Sequence, residues 1–200
     1  MKLYITSILL FLFIHTSFSQ QVELKNYEVL PFGEGGQIKM LYDRRQRPQS
    51  VFLNGKVHVV FNAGADEGAT GQSKTKPMIV TYNPESRKFS EIVTLGKASK
   101  DHHYGPVIWA DNYDYLHVLF GCHKTPGTHL ISKKPGEIGT SLNDWEEAPE
   151  IAPSISYPTF YRIADNKELI YFRTSGHISS WTYSISSDNG KTWNSPVDDI

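Results

Sequence analysis

From Ser50 onward, apolar and polar residues alternate in short runs. Candidate strands are "SVFLNG", "KVHVVFNAG", "PMIVTYNP", "FSEIVTLG", "GPVIWAD", "YLHVLFGCH", "THLISKK", "TFYRIAD", "ELIYFRTSG" and "WTYSISSD". Period-two alternation with Val, Ile, Phe and Tyr predicts half-buried strands, and no long stretch shows a helical period. Turn-forming pairs separate the runs at Asn54-Gly55, Asn83-Pro84, Asp111-Asn112, Asp165-Asn166 and Asn189-Gly190. The fold class is therefore all-β. A polar turn leading into an apolar strand recurs at "NGKVHVVF", "NYDYLHVLF" and "NKELIYF", at intervals of roughly fifty to sixty residues. Such spacing suits the four-stranded blades of a β-propeller, whose repeats run to about 40–50 residues. On this reading residues 20–200 form one propeller domain that holds roughly the first three blades and is incomplete at its C-terminus, because closed propellers take about four to eight.

The alternation does not extend to the N-terminus. "MKLYITSILLFLFIHTSFSQ" has an early cation (Lys2), an apolar run from Ile8 to Ile14, and small residues at Ser17 and Ser19. This is the pattern of a secretory signal peptide over residues 1–19, cleaved near Ser19-Gln20, and it predicts a protein working outside the cytoplasm. The apolar run is too short for a permanent membrane span. Cys122 is the only cysteine, so no intramolecular disulfide can form. A formal charge of −1 with mixed signs throughout gives no reason to expect a nucleic-acid or membrane partner.

Candidate chemistry gathers in "KDHHYGPVIWADNYDYLHVLFGCHK", residues 100–124, which holds four of the eight histidines. Near the C-terminus, "SISSDNGKTWNSP" contains Ser186-x-Asp188-x-Gly190-x-Thr192-Trp193. In a hairpin, Asp188 can accept from turn amides, Gly190 permits positive φ, and Trp193 can pack beneath. The segment looks like an Asp-box, whose role is structural. The order Asp101-His102-His103-x-x-Pro106, a strand into His123, Ser156-Tyr157-Pro158, "LIYFRT" with Arg173, then the Asp-box resembles the BNR-4 repeat family. Within it the chain looks most like the ulvan lyases of polysaccharide lyase families 24 and 25. The resemblance covers roughly residues 45–196.

That resemblance implies a seven-bladed propeller that cleaves an acidic, sulfated polysaccharide of ulvan type by β-elimination. It places His103 and Tyr157 in the catalytic roles, and His123 and Arg173 in substrate binding. His102 stands where the commoner motif has a second Asp, which leaves the support of His103 open. The reaction must remove the proton at C5 of a uronate and expel the oxygen at C4, with positive charge or strong donors near the developing enediolate. His and Tyr are competent acids and bases, and an Arg fork suits a carboxylate. Either of His103 and Tyr157 could be the base. The reading needs no cofactor for catalysis, leaves open a structural metal ion elsewhere, and expects a monomer whose partner is the polysaccharide.

Structural roles compete for the same residues. Adjacent residues of an extended segment face opposite ways, so only one of His102 and His103 is expected in the site. His117, mid-strand, and His58, its counterpart in the repeat, are expected to be packed. His129 and His177 have no partner legible in the sequence. Tyr157 precedes Pro158, which predicts extended backbone, and Arg173 needs a partner if buried. Cys122 and His123 point apart on a strand, and the chain lacks CxxC and HxxxH spacing, so zinc ligation there is not expected. Two other functions fit less of the sequence. "FYRIAD" is similar to the sialidase element (F/Y)RIP, with Ala164 in place of proline and Arg162 as its arginine. A non-catalytic glycan-binding propeller would use Trp109, Trp145 and Trp181 as stacking platforms.

Overall fold

The computed structural model describes residues 27–36, 46–65 and 73–197, so the expected signal peptide lies outside the described residues. The chain divides into two units, residues 1–31 and 32–200. Of the first, residues 27–31 are described, and they form neither helix nor strand.

The second unit is built from three antiparallel sheets. The first contains β1 (Ser50–Leu53), β2 (Lys56–Ala63), β3 (Lys76–Asn83) and β4 (Lys88–Phe89) in that order, with β5 (Val93–Thr94) also on β3. The second has β6 (Val107–Ala110), β7 (Leu116–Phe120), β9 (Thr128–Ser132) and β10 (Trp145–Glu147), and the third has β8 (His123–Thr125), β11 (Ile155–Ala164), β12 (Lys167–Arg173) and β13 (Trp181–Ser186). The recurring sequence unit falls on the same hairpin each time: β1–β2, β6–β7 and β11–β12. The predicted strand "FSEIVTLG" is instead two short pieces, β4 and β5, because Ser90, between them, hydrogen bonds to Thr81 outside the ladder.

Burial follows a period of two along some strands and not along others. On β12 and β13 buried residues alternate with partly exposed ones, whereas every residue of β7 is buried. β7 lies inside the second sheet and that sheet lies between two cores. Leu116, Val118 and Phe120 pack with Val60 and Ile79 of the first sheet. Leu119 joins Val107, Trp109 and Cys122 against Ile155, Ile170 and Phe172 of the third. Each fully buried side chain of this size contributes about 1.5–3 kcal/mol. Cys122 sits at 0% exposure, and burial pushes its thiol pKa well up, which makes it a packing residue.

The end of the sheets carrying the 111–115, 165–166 and 189–190 turns holds a polar cluster inside this core. His117 and His129 meet ring to ring, Nδ1 to Nε2 at 3.0 Å, and both stack on Trp109. Burial lowers the pKa of His129 to about 3 and of His58 to about 4, so both are neutral and packed. His58 bonds to Thr81 at 2.8 Å. His129 thus has a partner after all, one that becomes visible only when β7 and β9 pair. Ser186, Asp188 and Thr192 close the β13 turn: Asp188 accepts from the amide of Thr192 at 2.9 Å and from its hydroxyl at 2.6 Å, and Gly190 has φ of 72°.

Glu168 lies beside this cluster at 1% exposure, and neither carboxylate oxygen has a hydrogen-bond partner. Burial lifts its pKa to about 7, against the opposing pull of Arg162 at 3.7 Å. A carboxyl whose folded pKa is raised gives stability that is complete below its unfolded value near 4.5 and is lost as pH rises through about 7. Glu168→Gln removes that dependence. The variant is expected to be more stable than wild type at pH 8, by on the order of 1 kcal/mol or more, and to lose the advantage by pH 5. Thermal melts of both proteins at the two pH values check this, and an advantage that persists unchanged at pH 5 would contradict it.

Candidate active site

At the opposite strand ends, the chain entering β6 forms a tight turn around Asp101. Its carboxylate Oδ1 accepts from the backbone amide of His103 at 2.9 Å and from His103 Nδ1 at 2.6 Å, while Oδ2 accepts from His123 Nδ1 at 2.8 Å. An aspartate that captures the amide two residues on makes a turn rather than a strand. His102 and His103 therefore do not face opposite ways as an extended segment predicts; their rings lie together, with centroids 3.9 Å apart. Gln46 Nε2 donates to the carbonyl of His103 and fixes the turn from the other side.

The remaining residues come from adjacent strands of the third sheet. Ser156 of β11 pairs with His123 of β8 on one side and with Arg173 of β12 on the other. Ser156 Oγ accepts from the amides of Lys124 at 2.9 Å and Gly176 at 3.1 Å, tying β8 to the turn after β12. Residues directly opposite one another share a face, so Tyr157, one position on, belongs on the other face in a regular ladder. A register shift between Ser156 and Thr159 breaks the ladder, and Tyr157 takes φ of 58°. The extended backbone expected before Pro158 is therefore not adopted. The left-handed conformation costs a side-chain-bearing residue about 1–3 kcal/mol, and bulges of this kind re-aim side chains. Here the tyrosine ring is brought to 6.0 Å from that of His123 and 5.8 Å from that of His103.

Two members of the site were not legible as such. His177, exposed on the turn after β12, receives the Tyr157 hydroxyl at 2.8 Å from its Nε2 and lies 5.6 Å, ring to ring, from His103. Asp101, present in the motif without a role, organises both other histidines. Its carboxyl is partly buried, which raises its pKa, but the hydrogen bonds from His123 and His103 outweigh this and hold it below the usual carboxylate value. Support for His103 thus comes from Asp101, across the position that His102 occupies. Arg173 donates from Nη1 to the carbonyl of His177 at 2.7 Å, and its guanidinium lies 5.0 Å from the Trp181 ring centre. A cleft of about 700 Å³, lined by Asn62, Lys97, Tyr104 and Thr125 among others, opens beside Asp101.

The competing residues lie elsewhere. Arg162 is at the far end of the sheets, bonded to Asn112 at 2.7 Å and to the carbonyl of Ala110. Trp109 and Trp145 are 1% and 5% exposed, so neither is a platform for sugars; Trp181 stacks on Tyr171 beneath Arg173.

An ionised Asp101 can only accept, so the histidine rings bound to it carry their protons on Nδ1 and present Nε2. Two imidazoles oriented by one carboxylate, with a phenol beside them, are groups chemically able to give and take protons. A family model described as BNR repeat-containing family member matches residues 72–198. The chain belongs to this family. Among its relatives are the ulvan lyase of Alteromonas sp. (strain LOR), 27% identical over 176 residues, and the ulvan lyase of Nonlabens ulvanivorans, 27% identical over 177. Each alignment covers 76% of this chain, and 34% and 35% of the relative. The chain therefore spans about a third of the length of these relatives. A solved PL25 ulvan lyase bound to GlcA(1-4)Rha3S superposes with a TM-score of 0.62 and 25% identity, covering 82% of this chain and 39% of that one.

Proposed function

We propose that this chain carries the active site of an extracellular polysaccharide lyase acting by β-elimination on a sulfated, uronate-containing glycan of the ulvan type. The three sheets are read as consecutive blades of a propeller that is seven-bladed when whole. The observation that carries the proposal is the Asp101 carboxylate joined to the Nδ1 atoms of both His103 and His123, with the Tyr157 hydroxyl alongside. The ulvan lyases among the relatives supply the substrate class.

In this reading the neutral His103 takes the C5 proton on Nε2. The electrons released form the C4–C5 double bond as the C4–O bond breaks, and Tyr157 gives its hydroxyl proton to the departing oxygen. His123, protonated, and Arg173 hold the uronate carboxylate and so stabilise the enediolate. Two adjacent imidazolium rings repel, whereas one charged and one neutral ring divide the binding and basic roles without that cost. His177 covers the tyrosine hydroxyl and swings aside to admit substrate. The steps as written draw only on side chains.

The test is the ultraviolet absorbance of an unsaturated uronyl product during incubation with ulvan, with alginate, pectate and a heparan-type chain in parallel. A rise on ulvan that is lost in Tyr157→Phe is expected. Folded protein that gives no rise on any of the four would end the lyase proposal.

A further inference from the structure

The same rings offer a second chemistry. Carboxylate-supported imidazoles are the usual way proteins present histidine to zinc, the carboxylate fixing the tautomer and raising the basicity of the ligand. His123 Nε2 is buried and has no hydrogen-bond partner. One ligand nitrogen from each of His103, His123 and His177 can be chosen so that all lie within 4.8 Å of one another. Tetrahedral zinc with bonds of about 2.0–2.1 Å asks for roughly 3.3 Å between such atoms. Closing the difference takes a shift of up to about 1.5 Å, which His177, exposed on a turn, is placed to make. Three imidazoles and an open fourth position favour zinc, copper or nickel over magnesium or calcium, which prefer oxygen.

We propose that His103, His123 and His177 form a site for a divalent transition ion of the zinc class, and that this ion shuts the site against the uronate. The ion-binding half stands on the geometry alone; the competition rests on the lyase reading. An ion on these nitrogens takes the lone pair that His103 needs as a base and the position from which His123 meets the carboxylate. It also fixes His177 over the Tyr157 hydroxyl. The ion is thus an inhibitor of the site rather than its cofactor.

Untagged, metal-stripped protein titrated calorimetrically with zinc sulfate is expected to take up one equivalent, and to take up no magnesium from magnesium chloride. His177→Ala, whose removed side chain is exposed, and His123→Gln are each expected to weaken zinc binding about tenfold or more. No zinc uptake, equal uptake of magnesium, or unchanged affinity in both variants overturns the ion site, whatever the protein does to ulvan. In the absorbance assay, saturating zinc is expected to cut ulvan turnover about tenfold or more, with recovery on adding EDTA. Unchanged or faster turnover with zinc overturns the competition. Absence of turnover by the metal-free protein overturns the lyase reading and the competition with it, and leaves calorimetry to decide the ion site.

Discussion

Asp101→Asn is expected to lower ulvan turnover by about two to four orders of magnitude, close to the loss expected for His103→Ala. In the proposed mechanism, alanine at 103 removes the base outright. The asparagine leaves His103 and His123 in place but replaces an acceptor-only carboxylate by a group that also donates. Either ring can then accept on Nδ1 and carry its proton on Nε2, the tautomer in which the lone pair is turned away from substrate. The negative charge that His123 Nδ1 meets is lost as well. Steady-state kinetics with melting curves separate these effects from unfolding. A variant with near-normal kcat would show that the carboxylate only braces the turn. A rise in KM alone would confine Asp101 to carboxylate binding through His123 and clear it of a part in proton transfer.

The largest loss of stability is expected at Trp109. Its ring stacks on Phe160 at 4.9 Å, His117 at 5.0 Å and His129 at 5.2 Å, and meets Trp193 edge-on at 6.5 Å. Trp109→Ala deletes the piece that both the second and the third sheet pack around. Large-to-small changes of this kind cost about 3–5 kcal/mol, which in a chain of this size lowers the melting temperature by roughly 6–20 °C. The loss should shrink as pH falls below about 6.5, because imidazoles that burial keeps neutral already cost the wild type stability there, whereas a cavity that admits water lets them take up protons in the folded variant. A loss under about 1 kcal/mol would mean that the two sheets are not close-packed here.

Most of the scaffold could be read from alternation and turn pairs because those signals are local. β2, β12 and β13 each show period-two burial, but the buried side is not always the one hydrophobicity predicts. On β13 Thr182, Ser184 and Ser186 are buried while Trp181, Tyr183 and Ile185 are partly exposed, and on β2 His58 and Asn62 are buried while Val57, Val59 and Phe61 are partly exposed. The site was legible in its residue types and much less so in its geometry. His177 has no local signal, since its partner Tyr157 reaches it through pairing of β11 with β12. Tyr157 defied the rule for residues before proline because surrounding strands over-determine its conformation. The turn at His102 and His103 was the avoidable miss: aspartate two residues before is itself a turn signal, and Asp101 acts as one.

β8 has a divided allegiance. By chain it is the excursion between β7 and β9 of the second sheet; by hydrogen bonding it is an edge strand of the third. His123 is therefore positioned by main-chain bonds that every residue type can make, and Ser156 reinforces them through backbone amides. Apart from Ser156 and Asp101, side chains around it can then drift through evolution without moving the imidazole. A scaffold that locates its histidine in this way can retain an active centre while most of its sequence diverges.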